Sequence, residues 1–171
     1  MNVFAFLLAG YGLFSHPPLP RADAGGDIDK TDLRVCCDKI RQQGQRIWFL
    51  SDRNGRVRLQ IRGVYVHGSV LLFFLQLNNR SSVDYTIGNV SFLLAGNNRG
   101  RGTRPAALEP LFIYDSTKMV PGFSRAASIF VLPRFRLPAG GRLWIDVQES
   151  DGNRHLHIPV NNWTLARARV I

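Results

Sequence analysis

The chain has 171 residues, of which 45% are hydrophobic, and this is enough to bury the core of one compact domain. Nineteen of the 22 basic residues are arginine and the formal net charge is +10, so contact with an acidic protein, a phosphate or an acidic membrane is electrostatically favourable. No ladder of aromatic side chains alternates with the arginines, which argues against single-stranded nucleic acid as a specific ligand. The sixteen glycines and nine prolines suit a turn-rich β protein.

Residues 1–28 differ from the rest of the chain and predict a leader-like segment with a flexible linker, ahead of one domain at 29–171. Val3 to Phe14 is an apolar run with the length of a signal-peptide core, and it is too short to span a bilayer as a helix. Ala22 and Ala24 form an acceptable cleavage pattern, but no basic residue precedes the apolar run. Three interpretations of this segment stay open: a signal that directs export, a degenerate leader, and an extension that is never structured.

Asp29 to Gln45 is the one substantial helix that the sequence predicts. Asp29 can cap its first turn, and Asp32 there favours the helix dipole. Apolar side chains recur at helical spacing and predict one buried face, formed by Leu33, Cys36, Cys37 and Ile40. For the two adjacent cysteines we expect one buried and one half-exposed thiol, with a single intermolecular bridge as the alternative in an oxidising compartment.

Strands follow the helix. After a turn at Asp52 to Gly55, residues 57–62 alternate apolar and polar, as in a strand with one wet face, and the edge of this strand is a predicted acceptor for a partner strand. A short second strand is expected after Gly63. Val70 to Leu77 is apolar at almost every position, which indicates a strand covered on both faces.

A polar turn at residues 78–82 leads into another strand from Val83. In this turn the side chains of Asn79 and Ser81 are expected to satisfy backbone donors, and Tyr85 to help fix the connection. These three residues are predicted to be structural.

The C-terminal half predicts strands at Leu108 to Tyr114 and at Ala126 to Leu132, separated by a loop. A hairpin follows, because apolar residues alternate on both sides of the turn at 150–153, in which Gly152 is expected to take a positive φ. Strands joined by short polar turns predict a mainly β fold, namely an Ig-like antiparallel β-sandwich preceded by one N-terminal helix.

No group of residues forms a convincing chemical site. His155 and His157 share a strand face, but no third metal ligand has suitable spacing, so we expect both to be exposed. His67 with Asp115 and Ser116 lacks the nucleophile-elbow pattern of a triad. The sequence therefore predicts a non-catalytic protein with no cofactor and no metal.

The densest basic cluster is a glycine-rich loop that contains Arg99, Arg101 and Arg104. Such a loop is either solvated or docks to an acidic protein surface. These three arginines are the predicted partner-binding residues.

Several short motifs occur in an order that resembles one known family. They are Gly63 to Val66, the Asn-x-Ser-x-x-x-Tyr run Asn79 to Tyr85, Phe92, Thr103-Arg104, Pro110-Leu111, Arg134 to Leu137, and the Glu-x-x-Gly-x-Arg-x-Leu run Glu149 to Leu156. The ordered set covers roughly residues 32–168. It is similar to the C-terminal β domain of the TraN family of Bacteroides-type conjugative transposons.

The resemblance implies a periplasmic structural component of a conjugation apparatus, similar to the outer-membrane-associated β-sandwich subunit of type IV secretion channels. The implied partners are other channel proteins, namely a lipoprotein and a scaffold subunit, together with copies of the chain itself. No specific nucleic acid is implied, and the membrane is reached only through partners.

Two other interpretations stay open. A free-standing Ig-like module for a glycan or a surface protein would be favoured by exposure of Trp144 and Trp163. A nucleic-acid-binding β module is motivated only by the positive charge and the arginine loop.

Overall fold

The computed structural model describes residues 29–43, 47, 49–96 and 105–171. Two helices lie in this part of the chain, α1 (Lys30–Gln43) and α2 (Asn162–Ala166). Asp29 caps α1, because its Oδ1 accepts a hydrogen bond from the Thr31 N–H at 2.8 Å. The predicted end of this helix at Gln45 lies outside the described residues. None of the described helices is both long and apolar enough to span a bilayer.

Eleven strands are described. In chain order they are β1 (Ser51–Asn54), β2 (Val57–His67), β3 (Val70–Asn79), β4 (Tyr85–Ala95), β5 (Ala106–Leu108), β6 (Phe112–Tyr114), β7 (Met119–Val120), β8 (Ser124–Pro133), β9 (Arg142–Glu149), β10 (Leu156–Val160) and β11 (Arg169–Val170).

The strands form two sheets. The first sheet has the order β1-β2-β3-β8-β6, with β11 added in parallel to β2, and its other pairs are antiparallel. The second sheet has the antiparallel order β10-β9-β4-β5, with β7 also on β4. The predicted mainly β sandwich with one N-terminal helix is confirmed.

The main core lies between the sheets, where the rings of Phe73, Phe92 and Phe130 pack at centroid distances of 6.1 and 5.3 Å. A second core covers the outer face of the first sheet, where Leu33 and Ile40 of α1 pack on that sheet. Strand β3 is therefore buried on both faces, as its apolar run predicts. Burial of each such side chain stabilises the fold by about 1.5–3 kcal/mol.

Several local predictions are wrong. Residues 51–54 form β1, so the turn begins at Gly55 and not at Asp52. Residues 57–67 form one strand with a bulge between Ile61 and Gly63, where two separate strands are predicted. The run Leu108 to Tyr114 is split by Pro110, since β5 belongs to the second sheet and β6 to the first. Proline cannot donate to a ladder, and here the chain crosses between sheets.

Both thiols are buried, whereas a half-exposed one is predicted. Cys36 and Cys37 are both free. The Cys37 thiol points into the second core, and burial raises its pKa to about 12. Burial also raises the pKa of the Cys36 thiol, so both sulfurs stay protonated and unreactive at neutral pH.

Candidate functional site

Three of the predicted structural residues, Asn79, Ser81 and Tyr85, come together where the turn between β3 and β4 meets the hairpin of β9 and β10. We call this the turn–hairpin cluster and define it by Asn79, Ser81, Tyr85, Glu149 and Arg154. Its two halves, residues 79–85 and 149–154, are more than sixty residues apart in the sequence, so tertiary packing alone brings them into contact.

Asn79 is the centre of the turn and its side chain is 1% exposed. Its Nδ2 lies 2.8 Å from the carbonyl oxygen of Val83, 3.1 Å from that of Val120 and 3.2 Å from that of Pro121. Its Oδ1 accepts hydrogen bonds from the backbone N–H and the hydroxyl of Ser81 at 3.1 and 2.6 Å. One amide thus joins the turn to β7 and to the loop that follows it.

Tyr85 connects the turn to the hairpin. Its ring is fully buried, and its hydroxyl donates to the carbonyl oxygen of Arg154 at 2.8 Å. The Arg154 guanidinium carbon lies 5.1 Å from the centroid of the same ring, within cation–π range. Burial, followed by the Glu149 charge, raises the pKa of Tyr85 to about 12. The phenol is therefore a neutral structural donor.

Arg154 uses its guanidinium to join three segments. Its Nε donates to Glu149 Oε2 at 2.8 Å, and its second donor nitrogen pairs with Oε1 of the same carboxylate. It also donates to the Asp84 carbonyl oxygen at 2.8 Å and to the Ser81 hydroxyl at 3.3 Å. The hydrogen bonds from Arg154 lower the pKa of Glu149, as expected for a bidentate ion pair.

Gly152 lies in the hairpin, but the positive φ predicted for it is wrong. The described glycines in that region of φ are Gly55, Gly68 and Gly140. Space is the constraint at Gly152 instead, because a Cβ there would lie 1.8 Å from Glu149 Oε2 and would force the Glu149 side chain to shift. The absent side chain allows Glu149 to turn back onto Arg154. The other predicted functional residues, Arg99, Arg101 and Arg104, lie outside the described residues.

A cleft of about 510 Å³ opens between the two sheets beside β4. Its walls are mainly apolar, and Glu109 and Lys118 are the charged residues that line it. The lining contains no histidine or cysteine, and the cleft offers mainly apolar surface. The predicted strand-accepting edge at residues 57–62 is wrong, since β1 and the chain just before it already pair with β2 there.

A second polar cluster, which we call the His67 cluster, contains Asp32, Cys36 and His67. His67 Nε2 lies 2.7 Å from Asp32 Oδ2, and Nδ1 lies 3.0 Å from the Ile171 carbonyl oxygen and 3.7 Å from Cys36 Sγ. The cluster joins α1, the end of β2 and the C-terminal segment. The sequence did not predict this cluster. Asp32 and Cys36 lie four residues apart and so share one face of α1, and this spacing was the one local indication of it.

The His67 cluster has the residue types of a metal site and of a cysteine–histidine pair, yet its chemistry favours neither. Both ring nitrogens face oxygen acceptors, and the hydrogen bonds that His67 makes to the Ile171 carbonyl and to Asp32 raise the pKa of His67. The ligand atoms of the three residues lie within 4.8 Å of one another, but metal binding needs a neutral imidazole and a thiolate, and the raised pKa values of His67 and Cys36 disfavour both forms. The geometry suits a charged hydrogen-bonded link between chain segments.

His155 and His157 are both exposed. The backbone N–H of His157 donates to Asp52 Oδ2 at 2.9 Å, and its ring lies 5.8 Å from that of Trp144. His67 does not join Asp115 and Ser116, because Asp115 pairs with Arg41.

No curated protein matches this sequence. A family model described as a domain of unknown function, DUF4138, matches residues 31–170. This range includes both sheets, the turn–hairpin cluster and the His67 cluster. The chain therefore belongs to the DUF4138 family.

Proposed function

We propose that the protein is a non-catalytic structural component of a bacterial conjugation apparatus, of the kind encoded by conjugative transposons. In this role it assembles with other channel subunits in the periplasm, among them a lipoprotein and a scaffold protein. The proposal rests on the resemblance to the TraN family and on the two-sheet fold.

The observation that carries the proposal is the turn–hairpin cluster. Two of the motifs behind the resemblance, Asn79 to Tyr85 and Glu149 to Leu156, are joined directly by Arg154 and Tyr85. The residues that define each motif are the ones that make these contacts. The two motifs are thus physically dependent on each other, which makes a chance match of both less credible.

The charge of the chain supports an assembly role. The positive excess is dispersed along the sequence, and Arg99, Arg101 and Arg104 form its densest cluster there. Complementary charge steers association between subunits and penalises wrong partners. Acidic surfaces on neighbouring channel proteins would meet these arginines.

The test uses a host that carries the conjugative transposon. We expect deletion of the gene to lower the DNA-transfer frequency, and the tagged chain to co-purify with co-encoded channel subunits. Replacement of Arg99, Arg101 and Arg104 by glutamate should weaken that co-purification, whereas the matched replacement of the exposed Arg134, Arg136 and Arg142 should not. Unchanged transfer after deletion, and no subunit recovered with the folded chain, would refute the proposal.

A second candidate is the glycan-binding module, because Trp163 and Phe49 are exposed and their rings lie 5.5 Å apart. Arg167, however, lies 3.7 Å from the Trp163 ring centroid and covers one face. Trp144 is only half-exposed. A glycan array with wild type and Trp163→Ala separates the two candidates, since only the module predicts a hit that the variant loses.

A further inference from the structure

Phe123 is an aromatic side chain held on the surface in an unfavourable backbone conformation. It is 74% exposed, and its φ is 55°. The left-handed region is sterically poor for a bulky residue, so an aromatic side chain there is an outlier. Such outliers concentrate at functional sites because the surrounding structure must hold them.

The turn–hairpin cluster holds Phe123 in place. The Phe123 N–H donates to the Ser81 carbonyl oxygen at 2.9 Å, and the Gly122 N–H donates to Asp84 Oδ1 at 2.9 Å. The Pro121 carbonyl oxygen lies 3.2 Å from Asn79 Nδ2. A Cβ at Gly122 would lie 2.8 Å from the Ser82 carbonyl oxygen, so the two turns are in close contact. The backbone beneath the aromatic ring is therefore fixed in advance.

Two arginines line a small cavity beside the ring. This cavity of about 220 Å³ is lined by Phe123, Ser124 and two arginines, Arg80 and Arg125, together with the asparagines at 78 and 79. Both arginines are exposed, and among the described residues no carboxylate pairs with either. Val83 is 64% exposed and lies in the turn whose residues Ser81 and Asp84 bond the Phe123 segment, so that turn offers apolar surface as well.

We propose that Arg80, Val83, Phe123 and Arg125, here called the Phe123 surface, bind an acidic segment of another protein. A carboxylate of that segment pairs with Arg80 and Arg125, and an adjacent apolar side chain packs on Phe123 and Val83. Guanidinium groups bind carboxylates with strong charge-assisted hydrogen bonds. An exposed aromatic ring on a fixed backbone beside them is a typical binding hot spot, since little backbone freedom is lost on binding.

The inference goes beyond the proposed function, because it concerns the chemistry that this surface recognises. It applies to an acidic segment from any partner protein. A nucleic acid is the less favoured occupant. One aromatic ring gives no stacking platform for successive bases, which single-strand binding requires.

The test measures fluorescence anisotropy of a labelled synthetic peptide in which Asp or Glu alternates with Leu, titrated with the full chain. We expect saturable binding at low salt that weakens at high salt. The counterpart with Asn and Gln in place of the acids should bind about tenfold more weakly, because the charged hydrogen bonds are lost.

Variants assign the site. Arg80→Glu with Arg125→Glu should weaken peptide binding by about tenfold or more, whereas the matched pair Arg134→Glu with Arg136→Glu should change it by less than about twofold. Phe123→Gly removes the ring and suits the left-handed φ, so it should weaken binding about tenfold while the protein melts at the same temperature or higher.

Equal affinity for the acidic and the amide peptide would overturn the proposal, as would wild-type binding by either the charge-reversed pair or Phe123→Gly. Tighter binding of a single-stranded oligonucleotide, or of phosphatidylglycerol vesicles, than of the acidic peptide would overturn it as well.

Discussion

The turn–hairpin cluster and the His67 cluster do the same task in different surroundings. Each joins segments that are distant in the sequence through a few polar side chains. In the first, the Glu149 side chain is only 9% exposed and Asn79 is buried. In the second, the Asp32 side chain is 57% exposed. Water can replace a lost partner in the second cluster but not in the first.

The difference shows where polar contacts matter for stability. A buried group that loses its partner bears the full desolvation cost, whereas an exposed ion pair contributes little because water and salt screen it. The two clusters should also respond to pH in opposite directions. The pKa of Glu149 is lowered and that of His67 is raised, so acid weakens the first cluster and alkali the second.

Asn79→Ala should have the largest effect. It removes a buried amide that serves three carbonyl oxygens and the Ser81 backbone, and we expect the free energy of unfolding to fall by about 2–4 kcal/mol. Urea denaturation measures this. The neighbouring Asn78→Ala, at a half-buried position, is the matched control and should cost clearly less. Asn78 accepts one hydrogen bond, from Gln76, and a loss below about 1 kcal/mol for Asn79→Ala would show that the turn does not depend on Asn79.

Gly152→Ala should come next. The new Cβ collides with the Glu149 carboxylate, so either the hairpin shifts or the ion pair with Arg154 opens, at a cost of about 1–3 kcal/mol. Gly96→Ala is the control, since a Cβ there meets nothing within 4 Å. If thermal unfolding of the two variants matched within about 1 °C, the close approach of Gly152 and Glu149 would be wrong.

Glu149→Gln should cost about 1–2 kcal/mol at neutral pH, because Arg154 loses charged hydrogen bonds but keeps its other partners. The folded-state pKa of Glu149 lies below its ordinary value of 4.5. Its stabilisation is therefore complete above that value and is lost as the pH falls through the folded-state pKa. The difference in unfolding free energy between wild type and variant should shrink in acid, and a constant difference down to about pH 2 would contradict the ion pair.

His67→Gln should have the smallest effect, at most about 1 kcal/mol, because its ion pair is partly exposed. The folded-state pKa of His67 lies above its ordinary value of 6.5. Its stabilisation is therefore complete below that value and is lost as the pH rises through the folded-state pKa. Urea denaturation of wild type and variant should show a difference in the free energy of unfolding that declines as the pH rises above 6.5. A difference that grew with pH would contradict the ion pair between His67 and Asp32.

Periodicity predicts much of this fold. The buried face of α1, the doubly covered β3 and the hairpin of β9 and β10 follow from spacings of 3.6 and 2 residues. Element boundaries were less well predicted, as the split between β5 and β6 shows. A run of apolar residues does not indicate that its first part, β5, pairs in the second sheet while its last part, β6, pairs in the first.

Of the candidate sites, Asn79, Ser81 and Tyr85 could be singled out as turn residues because their types satisfy backbone groups locally. The role of Arg154, which links the turn at 79–85 to the hairpin at 149–156, could not be predicted, because its partners Ser81 and Asp84 are remote in the sequence. At Gly152 the sequence predicts the right place but the wrong constraint. A glycine in a turn suggests a positive φ, while the actual constraint is a carboxylate that folds back from three residues earlier.

The sequence alone determined that the chain forms a helix and a run of short strands, because side-chain periodicity and turn residues act over a few neighbouring positions. The tertiary structure decided which of these segments touch. It placed Arg154 against Tyr85, His67 between Asp32 and Ile171, and the strained Phe123 beside two arginines. Such contacts depend on how two sheets pack, and no local pattern records that geometry.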